Sequence, residues 1–202
     1  MFSRHDLVWL TPAGWDTAPA LTEWRKQDWP AIVRRRDAGV GADAVCLGIP
    51  LPERQRVALV VDARHIARSA PPLTLADAIA AAPPQWLAGL VALQRAAEAL
   101  DVRVYGSLAM ASITGLPYLR AGSDIDLLAR PTTRSEFAAA VALLEEHAQV
   151  LPLDGEIVFP SGDAVAWKEW IAARRDHARV LVKSLHTVRL ADPAQLFSSL
   201  PA

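Results

Sequence analysis

Two aspartates separated by one residue, Asp124 and Asp126, carry the plainest chemistry in this chain. They flank Ile125 at the start of a short apolar run, Ile125 to Leu128, that has the character of a strand. Strand side chains alternate between faces, so both carboxylates point one way while Ile125 and Leu127 face a core. Carboxylates side by side repel each other unless a cation lies between them, and hard oxygen ligands of this kind select magnesium or manganese. Upstream, Gly106-Ser107 marks the turn between a strand, Val102 to Tyr105, and a helical run reaching about Thr114. Free N–H groups and the helix dipole at such a bend favour a phosphate. Gly106 has no side chain to keep a ligand from the backbone, and Ser107 is placed to cap the helix.

The flanking elements follow from pattern. Thr74, with Asp77 three residues on, caps a helix running to Ala81, and Pro83-Pro84 ends it. Gln85 to Leu100 is amphipathic, with Trp86, Leu90, Leu93 and Ala97 on one stripe. Thr133 and Glu136 make a capping-box pattern for a helix from Ser135 to His147. Val150 to Phe159 is extended, with a turn expected at Asp154-Gly155, and Ala164 to Trp167 pairs back on it after a turn at Pro160 to Asp163. Lys168 to Arg174 is helical; Arg179 to Lys183 and Thr187 to Leu190 are the last strands; Asp192-Pro193 starts a final short helix. Before Pro71-Pro72, His5 to Leu10 is a strand, and Val45 to Ile49 with Arg56 to Val61 forms a hairpin around the turn Pro50 to Glu53. Two domains are expected, a small N-terminal one over 1–72 and a larger one over 73–202. Four of the seven tryptophans fall in the first, as filling for a small core.

Length and composition are those of an ordinary globular protein, and a net charge of -1 gives no global pull towards nucleic acid or an anionic membrane. Anion binding must then come from local clusters. Arg34, Arg35 and Arg36 form the densest one, of which Arg34 and Arg35 are candidates to grip a phosphate. Arg64, His65 and Arg68 make a weaker one. The lone Cys46 has no disulfide partner, no Cys/His pattern suggests zinc, and neither a signal peptide nor a spanning segment is apparent, so a cytoplasmic protein is expected.

Gly106, Ser107, Ser123, Asp124 and Asp126, in strand–turn–helix–loop–strand order, resemble the nucleotidyltransferase superfamily related to DNA polymerase beta. The resemblance implies an α+β fold, a mixed β-sheet flanked by helices, with the N-terminal part as an α/β or β-rich subdomain. The segments HDLVWL, VYGSLAMASITGLPYL, GSDIDLL, DGEIVFPSGDAVAWKEW and VLVKSLHTVRL are similar to the phosphoribosyl-dephospho-CoA transferases of malonate decarboxylase systems, also called holo-acyl-carrier-protein synthases. That resemblance implies a donor, triphosphoribosyl-dephospho-CoA, and an acceptor, a serine on the acyl carrier protein subunit of malonate decarboxylase. Pyrophosphate leaves.

On this reading Asp124 and Asp126 hold Mg2+ or Mn2+ while the serine oxygen attacks the α-phosphorus. A third carboxylate comes from Glu156, preferred because Ile157 and Val158 place it in a strand, or from Asp154. Gly106, Ser107 and Ser123 cradle phosphate, and Lys168 and Lys183 neutralise the triphosphate. Two alternatives stay open: a nucleotidyltransferase using an ordinary nucleoside triphosphate, and a non-catalytic nucleotide-binding module.

Overall fold

Residues 2–52, 55–176 and 178–202 of the computed structural model are described, the side chain of Arg175 excepted. They form an α+β protein with two sheets and eight α-helices among the described residues. The chain divides into two units, Met1–Pro72 with Leu185–Thr187, and Leu73–Ser184 with Val188–Ala202.

The first unit is built on five strands: β1 (Leu7–Leu10), β2 (Ala31–Val33), β3 (Ala44–Pro50), β4 (Arg56–Asp62) and β5 (Ile66–Ala70). All their pairings are antiparallel, in the order β4-β3-β2-β1-β5. The hairpin of β3 and β4 runs in unbroken register from Ala44 opposite Asp62 to Pro50 opposite Arg56. Of the turn expected over Pro50 to Glu53, Glu53 lies outside the described residues. Short helices α1 (Pro12–Trp15) and α2 (Thr22–Lys26) bring Trp15 and Trp24 into the core. Trp29 meets Trp24 edge to face at 5.1 Å. Trp9 is only half-buried and lies beneath the Arg68 guanidinium, 3.6 Å from ring centre to Cζ.

The second unit holds β6 (Leu73–Thr74), β7 (Val102–Tyr105), β8 (Ile125–Ala129), β9 (Leu153–Val158), β10 (Ala164–Ala166), β11 (Val180–Lys183) and β12 (Val188–Ala191). Its helices are α3 (Leu75–Ile79), α4 (Pro84–Ala96), α5 (Gly106–Thr114), α6 (Arg134–His147), α7 (Trp167–Asp176) and α8 (Pro193–Ser198). The strands line up in reverse chain order from β12 to β6. Every pairing is antiparallel except β8 with β9. A parallel pair needs a crossover, which α6 supplies. The α4 stripe of Trp86, Leu90 and Leu93, continued by Ala97 at the C-cap, is buried with Ile125, Leu127, Ala129, Leu153, Ile157, Val165, Val180 and Val182 from one face of the sheet. Phe137 on α6 meets Phe159, Trp170 and Phe197 at ring distances of 5.6, 4.8 and 5.5 Å, which ties α6, α7 and α8 to that core.

Thr133 caps α6 by accepting from the Glu136 N–H at 3.1 Å. The Glu136 carboxylate accepts from the N–H and hydroxyl of Thr132 at 2.7 and 2.9 Å, and these bonds, with a smaller contribution from the Thr133 backbone, hold its carboxyl below the usual carboxylate range. One local expectation needs correction. Asp154-Gly155 is no turn: both residues lie inside β9, opposite Asp126 and Leu127. Gly155 has φ 134°. A Cβ there would overlap the Leu127 carbonyl oxygen and come within 2.7 Å of the Leu127 nitrogen. This glycine serves the close approach of two backbones, a use that gives the same local sequence as a turn signal.

Candidate active site

The bend after β7 is where the site begins. Gly106 takes φ 69°, which only a residue without Cβ adopts at little cost, and the chain then enters α5. Leu108, Ala109 and Met110 anchor the helix by burial, and Gly115 closes it in the left-handed conformation. The helix N-cap position is Tyr105, with no side-chain cap. Ser107 therefore lies inside the first turn and is not the capping residue expected above. The first N–H groups of α5 are left to meet something other than a side-chain cap.

Asp126 lies directly against this bend. It pairs in register with Tyr105 across β7 and β8. A Cβ built on Gly106 would overlap Asp126 Oδ2 and sit 2.8 Å from its Cγ. Glycine is thus required at 106 to seat the carboxylate as well as to bend the chain. Asp124 precedes β8 and is exposed, while Ile125 and Leu127 are buried in the core, as strand alternation demands.

The parallel pairing sets Asp154 level with Asp126 and Glu156 level with Leu128. Residues opposite one another in a ladder share a face, so Asp126, Asp154 and Glu156 all lie on the face turned away from the α4 and α6 core. Their surroundings differ. The Asp154 side chain is 46% exposed, with Lys168 Nζ at 3.7 Å. The Glu156 side chain is only 5% exposed and accepts from Lys183 Nζ at 3.0 Å. Lys168 reaches Asp154 because β10 runs antiparallel to β9, so α7 starts beside the beginning of β9. Among the described residues no group of three or more His, Cys, Asp or Glu side chains is gathered as a ready-made metal cluster. The donor set on offer is the Asp126 and Asp154 pair with Asp124 nearby in sequence. Hard carboxylate oxygens of this type suit an ion such as Mg2+, which keeps most of its shell for water or phosphate.

The remaining candidates are placed as follows. Ser123 closes the loop before β8: its N–H donates to the Arg120 carbonyl at 3.0 Å and its Oγ accepts from the Arg120 N–H at 2.9 Å. Tyr118 in the same loop is buried, and desolvation pushes its phenol up to about 12, so it stays neutral at physiological pH. Arg34 and Arg35 belong to the first unit. Arg34 forks onto both oxygens of Asp37 at 2.5 and 2.6 Å and donates its Nε to the Leu47 carbonyl. That bidentate hydrogen bonding raises the guanidinium pKa and lowers that of Asp37. Arg35 is exposed. The sequence reading missed the pairing of Glu156 with Lys183. A signal was there: each is a lone charge in an apolar strand, EIVF and VLVK, and buried charges of opposite sign seek each other.

Comparison with known proteins bears on what this arrangement does. The family profile described as "Phosphoribosyl-dephospho-CoA transferase MdcG C-terminal domain" matches residues 74–194, and that of the MdcG N-terminal domain matches residues 3–72. A phosphoribosyl-dephospho-CoA transferase of Xanthomonas campestris pv. campestris (strain 8004) is 42% identical over 98% of this chain and 97% of its own. One from Bradyrhizobium diazoefficiens is 41% identical over 96% and 92%, and one from Klebsiella pneumoniae 35% identical over 92% of each. No solved structure matches the chain significantly.

Proposed function

The chain belongs to the phosphoribosyl-dephospho-CoA transferase family and is a transferase; from that premise we propose that it transfers the phosphoribosyl-dephospho-CoA group from triphosphoribosyl-dephospho-CoA to a serine of the malonate decarboxylase acyl carrier protein. The observation that carries the mechanism is the Asp126 carboxylate packed against Gly106 at the start of α5, with Asp154 in register beside it. A helix start suited to an anion next to paired hard ligands supports a nucleotidyltransferase-type reading.

In the proposed reaction the serine oxygen bonds to the α-phosphorus as the bond from that phosphorus to the bridging oxygen of the leaving group breaks. Pyrophosphate departs with that electron pair, and the serine proton is lost to solvent. The N–H groups at the start of α5, beyond Gly106, receive phosphate oxygens, and Ser107 adds a hydroxyl there. Lys168 and Lys183 supply positive charge on the side of β9. Asp124, Asp126 and Asp154 would hold Mg2+ or Mn2+, which would neutralise the triphosphate and acidify the incoming hydroxyl. The geometry favours Asp154 over Glu156 as third ligand, because Asp154 is the half-exposed one level with Asp126. Arg34 enters the scheme weakly, since Asp37 already occupies its fork.

Pyrophosphate release tests the proposal, with triphosphoribosyl-dephospho-CoA or ATP as donor and purified carrier as acceptor. Release and carrier labelling with the dephospho-CoA donor alone are expected. Labelling from ATP instead would assign an ordinary nucleotidyltransferase, and magnesium-independent binding without release would assign a non-catalytic module.

A further inference from the structure

Glu156 and Lys183 are joined across an intervening strand. Glu156 is on β9 and Lys183 on β11, two strand spacings or about 9.6 Å apart, yet Nζ and Oε1 meet at 3.0 Å. Between them β10 presents Ala166 level with Glu156 and Ala164 level with Lys183. These methyl groups leave the space through which the lysine chain crosses; a larger side chain at 166 would occupy it. Holding a carboxylate at 5% exposure is costly, and a pair of apolar residues would pack there with less desolvation. The arrangement keeps the Lys183 ammonium, whose side chain remains 37% exposed, fixed on the face that bears Asp126 and Asp154.

Resting on the transferase reading above, we infer that Glu156 is a positioning residue: it holds Lys183 in place for the donor's triphosphate and is not an ion ligand. Two carboxylates on one face of β9 then divide the work. Asp154, half-exposed and level with Asp126, faces the cation; Glu156, buried and level with Leu128, faces the lysine. A lysine fixed beforehand loses less side-chain freedom when it meets an anion, so the pair strengthens donor binding more than the chemical step.

The experiment measures inorganic triphosphate binding by calorimetry, Mn2+ binding by electron paramagnetic resonance, and KM and kcat with the dephospho-CoA donor. Glu156→Gln is expected to weaken triphosphate binding and raise donor KM about tenfold, the loss of one charge-assisted hydrogen bond. Its Mn2+ affinity and kcat should stay within about twofold of wild type, well under the tenfold that 1.4 kcal/mol represents. Lys183→Arg should retain most of the triphosphate affinity, and Glu156→Gln/Lys183→Met should match Lys183→Met alone. Asp154→Asn should show the opposite split, with Mn2+ binding reduced. A fall in Mn2+ affinity in Glu156→Gln, unchanged triphosphate binding, or additive losses in the double variant would overturn the inference. Should Glu156→Gln fail to fold, the double variant against Lys183→Met makes the same comparison. Absence of transfer by the wild-type protein would instead defeat the transferase reading.

Discussion

Ion pairs of arginine with acid occur in both units, and the second also sets like charges side by side. In the first, arginines find acids of their own: Arg34 with Asp37, Arg68 with Asp28 and Arg64 with Asp62. Such exposed pairs contribute little to stability and leave little unbalanced field. In the second, Asp126 and Asp154 stand opposite each other in a parallel ladder, where like charges are unfavourable. Lys168 lies 3.7 Å from Asp154, in an exposed position. The arginine run at 34–36 is the densest charged cluster read from the sequence, whereas the proposed reaction rests on the like-charged pair on β8 and β9, so unfavourable placement of charge, not density, marks the proposed site.

That contrast predicts unequal effects of charge removal. Asp154→Asn should lower transfer at least about 10²-fold, the usual loss for one preorganised electrostatic group. Arg34→Ala should leave turnover within about threefold, because its guanidinium serves Asp37 and Leu47. Equal losses in steady-state assays of the two would break the comparison. Gly106→Ala sharpens it from the backbone side: the added methyl displaces the Asp126 carboxylate, and a misplacement of that order costs about 10² in rate. Circular dichroism should show the fold retained. Gly155→Ala should instead unfold in urea with a loss of about 3 kcal/mol, from strain and from overlap with Leu127. The smallest effect is expected far from the carboxylates, where Thr133→Ala removes the α6 cap and costs about 1 kcal/mol without changing KM.

Much of this architecture was legible because it is local. The β7 strand, the bend at Gly106 and the stripe of α4 follow from alternation, a turn residue and helical spacing within a few neighbours. The proximity of Asp126 to Gly106 follows from β7 and β8 being adjacent strands. What escaped was set by distant partners. Asp-Gly at 154–155 has the composition of a turn, and only the parallel neighbour β8 explains the glycine. The pairing of Glu156 with Lys183 escaped because the two lie 27 residues apart, across a strand whose small side chains carry no obvious message. Ser107 looked like a helix cap because the left-handed bend at Gly106, where the helix starts with Tyr105 in the N-cap position, has no signature beyond the glycine itself.

Transfer of labelled phosphoribosyl-dephospho-CoA to purified carrier, compared between wild type and Asp126→Asn, tests most directly whether the carboxylate against Gly106 lies at the centre of the reaction. Turnover should fall at least about 10²–10³-fold in the variant while its circular dichroism spectrum is unchanged. Turnover near that of wild type would contradict the assignment.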